Sequence, residues 1–303
     1  VMTWMLSDIA KMTNGVLHGN DLSIDSVATD SRSITADQLF IAIKGERFDA
    51  HDFVSDLAGK AGAALVHQYV ECDLPQVVVS DTRQALADFA AAWRQQFTKP
   101  VIGLTGSNGK TTVKEMLSAI LSVRGSVLAT LGNLNNDLGM PLTLLRLRKE
   151  HDFAVIEMGA NHFHEIAFLT AISKPDVAIL NNAGAAHLEG FGSIEGVIKG
   201  KSEMYDYLIA NNKTIFVNGN DTIQINKTNE AKRFVFGNNT LADITIDFID
   251  AKPFVTCKYK NLNIKSQLIG DYNFNNIAAA ITIGNYFKVD NNAIKNAIGN
   301  YIS

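Results

Sequence analysis

A buried strand that runs straight into a glycine loop and then an amphipathic helix restricts a chain to few folds. Residues 101–112 spell that order: Val-Ile-Gly-Leu-Thr-Gly-Ser-Asn-Gly-Lys-Thr-Thr. After the loop, Val113, Met116, Leu117, Ile120 and Leu121 recur at helical spacing. A helix N-terminus offers unpaired N–H groups and the positive end of a dipole, which suits an anion. Gly106 and Gly109 let backbone wrap phosphate oxygens, with Ser107 and Asn108 between them; Lys110 adds a mobile charge, and Thr111, followed by Thr112, supplies a hydroxyl fit for magnesium. The strict Gly-x4-Gly-Lys-Thr pattern needs glycine at Leu104, so this is a tighter Gly-x-x-Gly-Lys-Thr variant. The expectation is a nucleoside triphosphate site.

The 303 residues suffice for two domains of ordinary size. A net charge of −4 and 19% charged residues leave no basic excess, which disfavours nucleic acid as a partner. Only Cys72 and Cys257 occur, far apart and without metal-site spacing, which fits a reducing compartment. No run approaches the ~18 to 20 apolar residues of a membrane helix, and the N-terminus has no basic region followed by an apolar stretch. A cytoplasmic monomer without membrane insertion is expected.

The first hundred residues read as a small α/β unit, with helices over 5–13 and 85–97 and strands over 27–29, 39–43, 63–66 and 77–79. Thr98-Lys99-Pro100 breaks the helical pattern, because the residue before proline is pushed out of the αR region. The boundary is placed there, giving domains 1–98 and 99–303. From Val101, strand-like runs at 101–104, 154–157, 177–180, 214–218 and 234–236 alternate with helical ones, which predicts a P-loop-type, mostly parallel sheet with helices on both faces. Ligands in such sheets gather beyond the carboxyl ends of the strands. Near residue 205 asparagine becomes frequent and lysine largely replaces arginine, Arg233 being the only arginine after Arg148. A fusion of segments of different ancestry and a variable surface rich in turn-forming asparagine both remain open.

Several residues fall where they can serve the loop. Glu157 ends a strand, and magnesium takes one or two carboxylates beside phosphate oxygens. His187 follows the next strand by a glycine-containing loop. The helix beginning near Ser193 carries Val197, Ile198, Met204, Tyr205 and Leu208 on one side and Lys199, Ser202, Glu203 and Asp206 on the other. Lys201 falls on the apolar side, so it either snorkels out or does special work. Asn133, Asn135 and Asn136 offer amides for substrate or phosphate recognition, though asparagine also favours turns.

Taken together, these stretches resemble the Mur ligases of peptidoglycan synthesis, in particular members that add D-alanyl-D-alanine to UDP-N-acetylmuramoyl-tripeptide. The resemblance is carried by Thr-Gly-Ser-Asn-Gly-Lys-Thr-Thr at 105–112, Asn-Leu-Asn-Asn-Asp-Leu-Gly-Met-Pro-Leu-Thr-Leu-Leu at 133–145, Ile-Glu-Met-Gly-Ala at 156–160 and Ala-His-Leu-Glu-Gly-Phe-Gly-Ser at 186–193. Thr-Asp-Ser-Arg at 29–32 and the stretch 40–53 are similar to the family's UDP-sugar-binding domain, which implies substrate contacts from Ser31, Arg32, Lys44, Gly45, Arg47 and His51. Gly-Asp-Tyr-Asn-Phe-Asn-Asn at 270–276 resembles an element near the adenine, with Tyr272 where the family has histidine and Asn273 and Asn276 in place.

The resemblance implies ATP and magnesium as cofactors and an acyl phosphate intermediate on the tripeptide. It places Lys110 on the β and γ oxygens, Thr111 on the first magnesium, Glu157 on a magnesium ion and His187 on the second, and makes Lys201, as a carbamate, an oxygen ligand for metal. Lys199 is the competing assignment. The family has three domains and the resemblance covers two, so weak or absent ligation by this chain alone is expected. Other readings are a UDP-sugar or nucleotide-binding module without chemistry, and a sister ligase of the Mur or folylpolyglutamate type; the intact set of Lys110, Thr111, Glu157, His187 and Lys201 favours a ligase.

Overall fold

The computed structural model describes residues 3–45, 47–183 and 188–303. It parts into two units, one of residues 1–98 with 137–148, the other of residues 99–136 with 149–303.

The first unit opens with β1 (Trp4–Met5) and α1 (Leu6–Thr13), which stops where Asn14 takes the left-handed conformation at φ 56°. Then come β2 (Val16–His18), β3 (Ser23–Ile24), β4 (Ser26–Ala28), β5 (Gln38–Ile41), a 3₁₀ helix (Ala50–Leu57), β6 (Ala63–Val66), β7 (Gln76–Val78) and α2 (Thr82–Gln95). Strands β4, β5, β6 and β7 run parallel and β2 adds an antiparallel edge, while β1 pairs with β3. The expected strands sit within a residue or two of their places. Helix α2 starts three residues early because the Asp81 carboxylate accepts the N–H groups of Arg83 and Gln84, at 2.9 and 3.3 Å, and so fixes the first turn. Phe40, Val54, Leu57, Val66 and Leu74 form one buried cluster.

The second unit contains β8 (Val101–Thr105), α3 (Lys110–Leu121), β9 (Val127–Ala129), then, after the excursion that carries α4 (Gly139–Leu144), β10 (Phe153–Glu157), α5 (Glu165–Ser173), β11 (Val177–Leu180), α6 (Leu188–Phe191), α7 (Ile194–Lys201) and α8 (Glu203–Ala210). It continues with β12 (Thr214–Asn218), α9 (Thr222–Lys227), β13 (Lys232–Gly237), β14 (Ile244–Ala251), β15 (Phe254–Tyr259), β16 (Leu262–Ile269), α10 (Asn273–Tyr286) and α11 (Asn291–Asn300). The sheet order is β16-β15-β14-β13-β12-β11-β8-β10-β9, parallel from β9 to β14 and antiparallel through β15 and β16. Alternation divides the sheet's side chains. Ile102 and Leu104 join the cluster that α3, α10 and α11 cover, while a Cβ on Gly103 would meet Met158, Pro175 and Ala178 on the other side, where α5 and α8 pack. Helix α10 approaches α3 closely because Gly284 has no side chain: a Cβ there would stand 2.7 Å from Ile120 Cγ2.

Three features depart from the expected plan. Residues 137–148 leave the second unit and join the first, where α4 packs against α2. There Trp93 Nε1 donates to the Leu147 carbonyl at 2.9 Å, and the Arg148 guanidinium lies 5.1 Å from the centre of the Trp4 ring and donates to Asp25 O at 2.8 Å. The helix expected from Ser193 is broken at Ser202, whose hydroxyl donates to its own helix at Ile198 O. Ser202 is therefore buried and not on the polar face. The hairpin strands β14 to β16 and the short β9 extend the sheet beyond the five expected strands.

Candidate functional site

The register of three neighbouring strands builds the site. Glu157 of β10 pairs with Leu104 of β8, and Leu180 of β11 pairs with Thr105 of β8. The carboxyl ends of β10, β8 and β11 therefore place Glu157, Gly106 and Asn181 side by side where the strand order reverses, the usual crevice of such sheets.

The loop from Gly106 to Gly109 is held open by backbone that only glycine adopts easily, with φ 142° at Gly106 and 82° at Gly109. Two asparagines clasp it. Ser107 N–H donates to Asn182 O and Asn108 N–H to Asn182 Oδ1, both at 3.0 Å, while the amides of Asn181 and Asn182 each donate to Asn108 O at 2.8 Å. Lys110, first residue of α3, folds back and donates to Gly106 O at 2.6 Å, so its ammonium lies inside the loop. Burial lowers its pKa, and the Glu157 carboxylate partly opposes that. A lysine so placed has no carboxylate within salt-bridging distance among the described contacts and is available to an anion.

Glu157 is 1% exposed and fully engaged. Its Oε1 accepts the Thr111 hydroxyl at 3.2 Å, its Oε2 accepts Asn135 Nδ2 at 2.8 Å, and its N–H donates to Thr130 Oγ1 at 2.9 Å. Lys114 Nζ stands 3.8 Å from Glu157 Oε1. Asn135 in turn accepts Gly159 N–H on its carbonyl at 2.8 Å, and a Cβ on Gly159 would meet the Asn135 side chain at 2.7 Å. The Glu-Met-Gly stretch thus needs its glycine so that Asn135 can reach the carboxylate. Asn133 is exposed and accepts Asn135 N–H on its carbonyl; Asn136 is exposed. Thr111 and Glu157 offer hard oxygens 3.2 Å apart beside the phosphate loop, a donor set that fits magnesium.

Lys201 ends α7 with no exposed surface, which answers the snorkelling alternative. It donates to Ala160 O at 2.6 Å and lies 5.6 Å from the Phe191 ring centre, whereas Lys199 is exposed. Burial, aided by the Lys110 ammonium, brings its pKa down to about 8. An ammonium cannot ligate a metal; a carbamate on the same nitrogen could. Glu203, expected on a polar face, instead accepts the N–H groups of His164 and Ala167 at the start of α5. His187 lies outside the described residues.

On the far side of the loop a cleft of about 680 Å³ is lined by Asn108, Thr112, Asn218, Asp221, Tyr272 and Asn276, with others. Asn273 and Asn276 are buried at the start of α10: Asn276 Nδ2 donates to Asn273 Oδ1 at 2.9 Å, and Asn273 Nδ2 to Ile269 O at 3.0 Å. Tyr272 is 73% exposed at the rim.

The candidate residues of the first unit form their own group. Ser31 is half-buried and Arg32 exposed, its guanidinium gripping Asp30 through two bonds of 2.9 and 3.0 Å. Lys44, Gly45 and Arg47 are exposed, and Gly45 N–H closes a turn on Phe48 O at 2.9 Å. His51, expected among the substrate contacts, is tied into its own loop. Its Nδ1 meets Asp49 Oδ1 at 2.6 Å and its Nε2 accepts His67 N–H at 2.8 Å, so both ring nitrogens are committed to holding the loop. The same commitment leaves the Asp49, His51 and His67 group no free His51 nitrogen for a metal.

The fold and this arrangement define a P-loop-type α/β protein with an acidic strand end opposite the loop. The chain belongs to the Mur ligase family: the Mur ligase middle domain matches residues 104–284, and the Mur ligase family catalytic domain matches residues 23–94. It is 54% identical over 207 residues to the UDP-N-acetylmuramoyl-tripeptide--D-alanyl-D-alanine ligase of Escherichia coli (strain K12), covering 68% of this chain and 46% of that one. The crystal structure of MurF from Acinetobacter baumannii superposes with a TM-score of 0.91 at 34% identity, over 100% of this chain and 69% of that chain. MurF from Thermotoga maritima, solved in complex with ADP, gives 0.79 at 29% identity over 92% and 66%. The chain spans about half the length of the first curated relatives it matches. No helix among the described residues is long and apolar enough to cross a membrane.

Sequence reasoning passed over Lys114, Asn181, Asn182 and Thr130. Lys114 carried a signal of the same kind as Lys201, a lysine between Val113 and Leu117 on the apolar side of a helix.

Proposed function

We propose that the protein takes part in joining D-alanyl-D-alanine to UDP-N-acetylmuramoyl-tripeptide with ATP, as its relatives are named for doing. The observation that carries the reading is the 3.2 Å contact between Thr111 Oγ1 and Glu157 Oε1 at the mouth of the glycine loop. A carboxylate is a poor electrophile. The terminal carboxylate of the tripeptide attacks the γ-phosphorus of ATP, giving an acyl phosphate and ADP, and the amine of the dipeptide then displaces phosphate from the acyl carbon.

The chain's own residues supply charge and position. Loop N–H groups and the start of α3 receive the phosphates, and Lys110 turns from Gly106 O to the β and γ oxygens. Thr111 and Glu157 would hold magnesium, which, when bound, neutralises charge on the phosphates; His187 and carbamylated Lys201 would hold a second ion. Asn135 keeps Glu157 aimed at the loop. Asn273 and Asn276 set the depth of the cleft that takes the base, with Thr112 at its wall. Ser31, Arg32, Lys44, Gly45 and Arg47 serve the UDP-sugar, with His51 shaping their loop, and Asn133 and Asn136 serve the peptide end. The protein is a cytoplasmic monomer in this reading.

Calorimetric titration of the chain with UDP-N-acetylmuramoyl-tripeptide and with UDP-N-acetylmuramate tests the substrate. The tripeptide is expected to bind at least tenfold more tightly. Equal affinities, or none for the tripeptide, would contradict the assignment.

A further inference from the structure

Lys114 has no part in the functions assigned so far, yet it is one of the most buried charges of the second unit, 3% exposed, on the turn of α3 that follows Lys110. Its ammonium donates to Gly132 O at 2.6 Å and faces Glu157 Oε1 at 3.8 Å. Burying an ammonium is costly unless an opposite charge or good acceptors meet it. A hydrophobic residue at 114 would extend the apolar stripe of Val113 and Leu117 with no such cost, so packing does not explain a lysine there. Its two partners do: the carboxylate that faces the phosphate loop, and the carbonyl of a loop that also carries Asn135.

We infer that Lys114 is a positioning residue, the built-in counter-ion of Glu157, which keeps a divalent cation out of the nucleotide-free site and so makes metal entry depend on nucleotide. The inference rests on the reading of Glu157 as a magnesium ligand. Without nucleotide, a dication approaching Glu157 finds one carboxylate already faced by the Lys114 ammonium at 3.8 Å, with the Lys110 ammonium folded back into the adjoining loop on Gly106 O. The polyphosphate of a nucleotide brings several negative charges into the loop and reverses that balance. Through Gly132 O, the same ammonium ties down the segment from Thr130 to Asn135, so both groups that bond Glu157 from that loop, Thr130 and Asn135, stay in register.

The test is Mn²⁺ binding to the chain without nucleotide, read by loss of the free Mn²⁺ electron paramagnetic resonance signal. Lys114→Met removes the charge at similar volume; Lys114→Gln removes it and retains a donor for Gly132 O. Both are expected to bind Mn²⁺ at least tenfold more tightly than the native chain, a gain that mere structural damage does not produce. Folded variants with unchanged or weaker Mn²⁺ affinity would overturn the inference, and so would failure of both variants to fold, which would make Lys114 a strut. Glu157→Gln separates the two readings. If it leaves Mn²⁺ binding in the presence of an ATP analogue unaltered, the metal role of Glu157 itself fails; if it abolishes that binding while the Lys114 variants gain nothing, only the counter-ion role fails.

Discussion

Asn181 donates to Asn276 Oδ1 at 2.7 Å, a bond between the end of β11 and the first turn of α10 that lies directly beneath Gly109. The same amide donates to Asn108 O at 2.8 Å. One side chain therefore joins the phosphate loop to the wall of the cleft on its far side. Two residues 95 apart in sequence set how far the loop stands from that wall. Asn181→Ala is expected to cost about 1 to 3 kcal/mol, since it leaves the buried Asn276 Oδ1 unpaired while Asn108 O keeps the Asn182 amide, and to weaken nucleotide binding more than tenfold. Denaturant unfolding and calorimetry on the same variant read the two effects.

Gly109 leaves no room for a side chain. Its φ of 82° is unfavourable for any L residue, and a Cβ would stand 2.2 Å from Asn276 Oδ1 and 2.6 Å from Asn181 Nδ2. Gly109→Ala is expected to destabilise the second unit by about 2 to 4 kcal/mol, one or two from the backbone and the rest from displaced asparagines. Gly132→Ala has positive φ but nothing within 4 Å, so it isolates the backbone part. Comparison of the two midpoints in urea measures the difference.

Lys201 gives the protein a pH signature. Its pKa is about 8 in the folded chain against an ordinary 10.5, so above pH 8 the folded state loses this proton while the unfolded state keeps it. Stability therefore rises from pH 8 towards 10.5 as the cost of the buried charge is relieved, by about 1 to 2 kcal/mol after allowance for screening. In buffer free of carbon dioxide, Lys201→Met is expected to flatten this rise. With ¹³C-labelled bicarbonate near pH 8, the native chain, and not Lys201→Met, is expected to show a carbamate carbon resonance, because the neutral amine is the form that reacts.

Much of this was legible beforehand for physical reasons. The run 101–105, the glycine pair and the stripe from Val113 to Leu121 each obey a local rule, and local rules are what a sequence displays. Glu157 was legible because a charge ending an apolar run is conspicuous. Asn181 and Asn182 were not: their work is to bond backbone on another strand end, and nothing in a pair of asparagines distinguishes that from a turn. Residues 137–148 gave no sign of joining the first unit because Trp93, Trp4 and Asp25, which hold them, are remote in sequence. Ser202 resembled a surface residue; only the break between α7 and α8 turns it inward. Strands β1, β3 and β9 have two or three residues each, too few for alternation to show.

The central claim is that Lys110, Thr111 and Glu157 form one magnesium-dependent nucleotide site. Calorimetric titration of the chain with a non-hydrolysable ATP analogue, with and without magnesium, beside Lys110→Ala and Glu157→Gln, tests it most directly. The account predicts binding that strengthens at least tenfold with magnesium, is lost in Lys110→Ala, and loses its magnesium dependence in Glu157→Gln, all with near-native melting. Equal affinity in all three proteins, or indifference of the native chain to magnesium, would contradict it.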